Sequence, residues 1–213
     1  MEALSADSIR GLVHTIRELM DAQRDYLIDI DATMGDGDLG LTMSRAFAAA
    51  DDQLAELEEQ DPGKLLSKVG TAIAKAAPST MGTLVATGFM RGGKAVSGIQ
   101  EIGPAELASF LEAFTEGLMQ RGKAAPGDKT IIDVLKPAAD ACRTAANNGS
   151  SLREAVRQTY EAAERGNEKA KELQAQHGRP AYYQDQSVGK PDPGAAAGLL
   201  LVQGFRDYLQ SVS

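Results

Sequence analysis

Apolar residues recur at intervals of three and four along almost the whole chain, the period of amphipathic helices. Ile9, Leu12, Val13, Ile16, Leu19 and Met20 form one stripe of a long first helix running from about Ser5 to about Asp29. Met43, Phe47, Ala50, Leu54 and Leu57 carry the same period in a second. Asp61-Pro62 reads as the cap and first position of a third, whose apolar face is Leu65, Leu66, Val69 and Ile73. A fourth follows with Leu84, Val85, Phe89 and Val96, and Pro104 opens a fifth with Leu107, Phe110, Leu111, Phe114 and Leu118. The sixth carries Ile131, Ile132, Val134, Leu135, Ala138 and Cys142, with a kink or break expected near Pro137. The seventh begins with Leu152, Ala155, Val156 and Ala163, and its charged later part, Glu161 to Glu172, reads as an exposed face. The last buries Leu199, Leu200, Val202, Phe205 and Leu209. No stretch alternates as a half-buried strand does, so the expected class is all-α, eight helices in a bundle or closed ring.

The segments that interrupt this pattern hold the chemistry. Asp31-Ala-Thr-Met-Gly-Asp36-Gly-Asp38-Leu-Gly-Leu-Thr42 sets three carboxylates at i, i+5 and i+7 among glycines that let the backbone turn tightly. Such a cluster repels itself, and a hard divalent cation relieves the repulsion because Mg²⁺ takes carboxylate oxygens and keeps water or phosphate oxygens as its other ligands. An EF-hand does not fit. A calcium loop begun at Asp31 needs Gly where Asp36 stands and Glu where Thr42 stands, and one begun at Asp36 needs Glu where Phe47 stands. The competing reading is a solvated turn, since Asp and Gly are common turn residues. Against it stand the third acid and the helix start at Leu39, Gly40, Leu41 and Thr42, whose free N–H groups are a ready anion site.

Ala76-Ala-Pro-Ser79-Thr80-Met-Gly-Thr83 is a second candidate wall. The helix after it contains Gly82, Gly88, Gly92 and Gly93, each costing about 1 kcal/mol relative to Ala in an isolated helix. Close approach of a neighbouring helix or of a ligand would offset that cost; the alternative for Ser79 is an ordinary helix cap. The polar loop Arg121-Gly-Lys-Ala-Ala-Pro-Gly-Asp-Lys-Thr130 ends at a plausible N-cap. The long segment from Gln176 to Gly194 precedes the last helix, and loops of that length are functional or disordered. Its tyrosines and arginine favour an ordered covering loop.

Composition narrows the classes. The chain has 213 residues, 43% hydrophobic, enough for one sizeable core, and with no linker-like stretch residues 1–213 are expected to form a single domain. A formal charge of −8 does not supply the clustered cations that nucleic acid requires. No apolar run reaches the length of a bilayer span, and the first residues lack the basic-then-apolar order of a signal peptide, so the expectation is a cytosolic protein with no membrane contact. Cys142 is the only cysteine, which excludes an intrachain disulfide and a cysteine-based zinc site, and it reads as a small buried residue. With only His14 and His177, histidine clusters are excluded too; both read as surface or loop residues.

Five motifs in order, Asp31-x4-Asp36-Gly-Asp38, Ser79-Thr-Met-Gly-Thr83, Arg121-Gly-Lys-x2-Pro-Gly-Asp-Lys-Thr130, Gly178-Arg179 and Ser187-Val-Gly-x2-Asp-Pro-Gly194, make the chain resemble the L subunit of dihydroxyacetone kinase over essentially its whole length. The resemblance implies an antiparallel eight-helix barrel holding ADP or ATP at one end. It implies two Mg²⁺ ions on Asp31, Asp36 and Asp38. Phosphate contacts are implied at Leu39 to Thr42, phosphate and nucleoside contacts at Ser79 and Thr80, and further nucleotide contacts at Gly122, Ile131, Arg179, Asp192, Pro193 and Gly194. Relatives commonly place His or Thr where Leu39 stands, so here only the Leu39 backbone N–H can serve, and no residue is assigned a catalytic role.

The same resemblance implies partners. A K-type subunit would hold the ketone substrate, dihydroxyacetone or, as an alternative, another short ketose or tetrose. The phosphoryl donor is either exchanging ATP or an M-type phosphotransferase-system subunit that rephosphorylates a retained ADP. A homodimer is left open. A nucleotide sensor that binds a transcription regulator is a reading of a different class, and a helical scaffold with an acidic loop is a third.

Overall fold

The computed structural model describes residues 2–212. Among them are α1 (Ala6–Ala22), α2 (Arg24–Ala32), α3 (Leu39–Ala55), α4 (Pro62–Ala76), α5 (Thr80–Ala95), α6 (Pro104–Gly122), α7 (Ile132–Asn147), α8 (Leu152–Ala170) and α9 (Pro193–Ser211), with a 3₁₀ segment, Arg179–Ser187, between the last two. Each of α1 and α3 to α8 packs on the next in that order, and α9 packs back on α1, so eight helices close a ring. Connections as short as the Ala77 to Ser79 link between α4 and α5 force packed neighbours to run antiparallel. The expected all-α barrel is therefore the observed fold. No helix among the described residues is long and apolar enough to cross a membrane.

Local sequence explains where the helices begin. Ser5, Asp61, Ser79, Ser151 and Asp192 each accept a backbone N–H of the following turn through their side chains, and Pro62, Pro104 and Pro193 occupy first-turn positions where no N–H is needed. Asp61 does more than cap: its second oxygen accepts the Gly98 N–H at 2.7 Å and ties the α3–α4 and α5–α6 loops together at one end of the ring. Leu4 and Ile102 exchange backbone hydrogen bonds at the same end.

The interior is filled by the apolar stripes read from the sequence. All five phenylalanines, Phe47, Phe89, Phe110, Phe114 and Phe205, form a connected set of rings drawn from α3, α5, α6 and α9, with the closest centroids, Phe89 and Phe114, 5.2 Å apart. The glycines of α5 are explained by neighbouring helices. A Cβ on Gly93 would lie 2.5 Å from the Gly63 carbonyl oxygen and the Ser67 nitrogen of α4, and one on Gly92 would meet the Phe110 ring at 2.6 Å. Pro137 lies inside α7, which continues past it; the Asp133 carbonyl that loses its donor there faces Gly166 of α8, where a Cβ would lie 2.3 Å away.

One expectation needs correction. The first helix does not run unbroken from Ser5 to Asp29: it breaks at Gln23 (φ −100°, ψ 9°), and α2 leans across the end of the ring against α3 and α9. The lean depends on Gly40, because a Cβ there would sit 2.1 Å from the Arg24 carbonyl oxygen.

Candidate functional site

Because the helices alternate, α3, α5, α7 and α9 all begin at one end of the ring, and residues at or just before their starts face a single cavity of 390 Å³. Leu39, Ser79 and Thr80, Thr130 and Ile131, and Asp192 to Gly194 line it. Each helix start leaves backbone N–H groups without intrahelical partners and carries the positive end of the helix dipole, so this end gathers four such positive ends. On one wall stand the three acids. Asp31, in the last turn of α2, turns one carboxylate oxygen toward the backbone N–H groups of Asp38 and Leu39, at 3.0 and 3.2 Å. Asp38 sits at the N-cap position of α3 yet makes no side-chain cap, which leaves its carboxylate for the cluster. One oxygen from each of Asp31, Asp36 and Asp38 falls within 4.8 Å of the others. Gly35 makes this turn possible, since a Cβ there would lie 2.1 Å from an Asp31 carboxylate oxygen.

Electrostatics follow from this crowding. Burial, then the charges of Asp36 and Asp31, push the Asp38 carboxyl above the usual carboxylate range. The Arg179 guanidinium, carried on the 3₁₀ segment, makes an ion pair with Asp36 at 2.7 Å. The all-oxygen donor set and its excess negative charge fit a hard cation such as Mg²⁺.

On the opposite walls the helix caps are themselves cavity residues. The Ser79 hydroxyl accepts the Gly82 N–H at 3.0 Å, so Ser79 is both an ordinary cap and a cavity wall. Thr130, the expected N-cap, accepts the Ile132 N–H at 3.2 Å from one residue before the observed cap, since Ile131 takes the N-cap position of α7. Asp192 accepts the Ala195 N–H at 2.6 Å while 6% exposed, and burial pushes its carboxyl up to about 7. Gly194 lets α9 begin hard against its neighbours: a Cβ there would lie 3.2 Å from the Met81 methyl and 3.3 Å from the Ile131 nitrogen.

The residues singled out in the sequence divide accordingly. Asp31, Asp36, Asp38, Leu39, Ser79, Thr80, Ile131, Arg179, Asp192, Pro193 and Gly194 come together around the cavity. Gly40, Leu41, Thr42 and Gly122 do not border it. Gly40 faces α2, Leu41 is 48% exposed, and Gly122 backs the Leu84 side chain, from which an added Cβ would lie 3.2 Å. Further lining residues are Met81, inside the Ser79–Thr83 wall expected from the sequence, and Leu84, which together form an apolar wall, with Lys129, His177 and Pro180, to which sequence reasoning assigned no role. His177 pairs with Asp128 at 3.0 Å. Met81 and Leu84 carry no separate signal, because a helix residue facing a cavity has the same spacing as one facing the core.

The chain is thus an all-α ring with an acidic trio and four helix starts around one cavity. The chain belongs to the DAK2 domain family, which matches residues 33–207. It is 31% identical over 194 residues to the ADP-binding subunit DhaL of PEP-dependent dihydroxyacetone kinase 1 of Listeria innocua, covering 91% of this chain and 90% of that one. It is 29% identical over 201 residues to the corresponding DhaL subunit of Escherichia coli K12, covering 94% and 96%. Among solved structures, the dihydroxyacetone kinase of C. freundii shares the fold at 22% identity over 93% of this chain and 34% of that one, with a TM-score of 0.69 for the native form. The same kinase with AMP-PNP and Mg²⁺ gives 0.67.

Proposed function

We propose that this chain is the nucleotide-binding subunit of a kinase for dihydroxyacetone or a related short-chain ketose, holding ADP or ATP for a substrate carried by a separate K-type subunit. The observation that carries the reading is the juxtaposition, across one 390 Å³ cavity, of the acidic trio and four helix starts. Acids alone call for a cation and helix starts alone for an anion; together they call for a metal-bound phosphate chain. The DhaL relatives of Listeria innocua and Escherichia coli, named as ADP-binding subunits and matched over nine-tenths of their length, support it.

In this reading Asp31, Asp36 and Asp38 hold two Mg²⁺ ions, which supply neutralisation of charge on the phosphate oxygens. Asp31 keeps its orientation through the N–H groups of Asp38 and Leu39. The N–H groups at the start of α5 face the phosphates, and α3 contributes the positive end of its dipole, because the Leu39 N–H already holds the Asp31 carboxylate. Arg179 adds a cation from the covering loop. Met81, Leu84, Ile131 and Pro193 offer an apolar seat for the nucleoside, and Asp192 to Gly194 set the start of α9 against it. Phosphoryl transfer needs positioning and charge neutralisation rather than a protein nucleophile, so no nucleophile is assigned. The exposed mouth of the cavity is where a K-type partner would present its ketose, and the donor that recharges the nucleotide is an M-type subunit or exchanging ATP. Incubating the chain with ATP and dihydroxyacetone, with and without a K-type subunit, tests the division of labour: phosphorylation is expected only with the partner, and full activity from this chain alone would overturn it.

A further inference from the structure

Lys129 is the one lysine in the described structure that is fully buried, at 1% exposure, and it is held in the left-handed region at φ +59°. A lysine there pays roughly 1 kcal/mol relative to glycine. In a Gly-Asp-Lys-Thr loop leading into a helix that faces an anion-binding cavity, the obvious reading of such a side chain is a phosphate ligand. The hydrogen bonds say otherwise. Its Nζ donates to the carbonyl oxygens of Ala170 at 2.9 Å, Lys171 at 3.1 Å and Lys190 at 2.8 Å. An ammonium has three N–H donors, and all three are spent on the backbone.

Those carbonyls mark the two ends of one segment. Ala170 closes α8, Lys171 follows it, and Lys190 comes just before the Asp192 cap of α9. Between them lies the loop that carries Arg179 to Asp36. Lys171 also accepts the Gly189 N–H at 2.7 Å, so the loop's two stems meet at the ammonium as in an Ω-loop. The C-terminal end of α8 adds the negative pole of its dipole to the carbonyls that hold the charge. The Lys129 backbone is itself fixed, because Asp133 accepts the Gly127 and Thr130 N–H groups at 2.6 and 2.8 Å and so braces the turn on both sides of it. A second fastener lies inside the loop, where the Ser187 hydroxyl accepts the Ala175 N–H at 2.9 Å.

We propose that Lys129 is a positioning residue whose ammonium pins both stems of the α8–α9 loop to the start of α7, thereby setting Arg179 and the Asp192–Gly194 turn over the cavity without touching the bound ligand. The clamp stands on its own geometry; its consequence for nucleotide affinity rests on the function proposed above. Lys129→Met keeps the side chain's stem and removes the three donors.

Hydrogen–deuterium exchange of the full chain without nucleotide reads the clamp directly. In K129M, exchange across residues 174–190 is expected to rise about tenfold or more while α4 and α5 stay protected. Ser187→Ala is expected to raise exchange in the same segment by less. Mg-ADP affinity of K129M should fall about tenfold, because the loop is no longer pre-organised. With a K-type partner the KM for nucleotide should rise, with kcat at saturation within about twofold of wild type. Unchanged exchange in the free protein, with affinity and kcat both lost, would make Lys129 a phosphate ligand and overturn the proposal. Loss of protection throughout K129M would also overturn it, assigning Lys129 to the core. If the wild-type chain binds no nucleotide, the function proposed above fails, while the exchange measurement still decides the clamp.

Discussion

The guanidinium of Arg179 and the carboxylate of Asp36, 143 positions apart in sequence, meet at 2.7 Å across the mouth of the cavity. This pair joins the covering loop to the acidic turn and places a cation where a metal ion would compete for the Asp36 carboxylate and a phosphate for the Arg179 guanidinium. Both side chains are largely exposed, 64% and 44%, so the pair itself should contribute less than about 1 kcal/mol to stability. Arg179→Ala should therefore leave the melting temperature close to wild type. Its Mg-ADP affinity should fall about tenfold, the loss of one charge-assisted contact to phosphate. Calorimetric titration beside a thermal melt separates the two effects.

Packing of α5 on α4 gives a stability test. Gly93→Ala would drive a Cβ to 2.5 Å from backbone atoms of Gly63 and Ser67, which cannot swing aside as a side chain can. Urea unfolding should show a loss of about 1–3 kcal/mol. An unchanged midpoint would mean that α4 and α5 are not in such close contact.

Asp192 gives a pH test with a definite sign. Burial raises its carboxyl to about 7 in the folded chain, against about 3.9 when unfolded. Between these values the folded chain binds more protons than the unfolded one, so this residue makes stability fall as pH rises from about 4 to about 7. Asp192→Asn keeps an oxygen to accept the Ala195 N–H and removes the buried charge, so it should flatten that slope. Asp192→Ala loses the cap as well and should cost about 1 kcal/mol at acid pH, where the wild-type carboxyl is neutral. Denaturation midpoints across the window check all three chains.

Cys142 gives a probe of integrity. It is fully buried on α7, and burial pushes its thiol up to about 11. Alkylation at neutral pH should be negligible in the folded chain and complete after denaturation, as the thiolate is the reactive form. Rapid labelling of the native protein would contradict the packing of α7 against α8.

Most of the ring was legible because helix stripes are local. Ile9 to Met20, Leu65 to Ile73 and Leu107 to Leu118 state their buried faces within a few turns, and Asp61-Pro62 states a helix start outright. The break at Gln23 was not legible, since Met20, Leu27 and Ile30 keep one helical phase across it. What bends the chain there is the close approach of α2 to Gly40, a contact between elements. The acidic trio showed itself through spacing. The start of α5 was readable from Ser79, whereas α9 begins at Pro193, inside the stretch to Gly194 read as loop; Gly40, Leu41 and Thr42 do not border the cavity, because only the first residue of α3 lines it. Lys129 escaped notice for a plain reason: its partners lie 41 to 61 residues further along, beyond any local pattern.

The central claim, that Asp31, Asp36 and Asp38 grip a metal and through it a diphosphate, is tested most directly by calorimetric titration of ADP into the chain with Mg²⁺ and with a chelator. Binding is expected to require Mg²⁺ and to disappear in Asp36→Asn, with the melting temperature of the free variant unchanged or raised by relief of repulsion. Binding of equal strength in chelator, or in the Asp36→Asn chain, would contradict the claim.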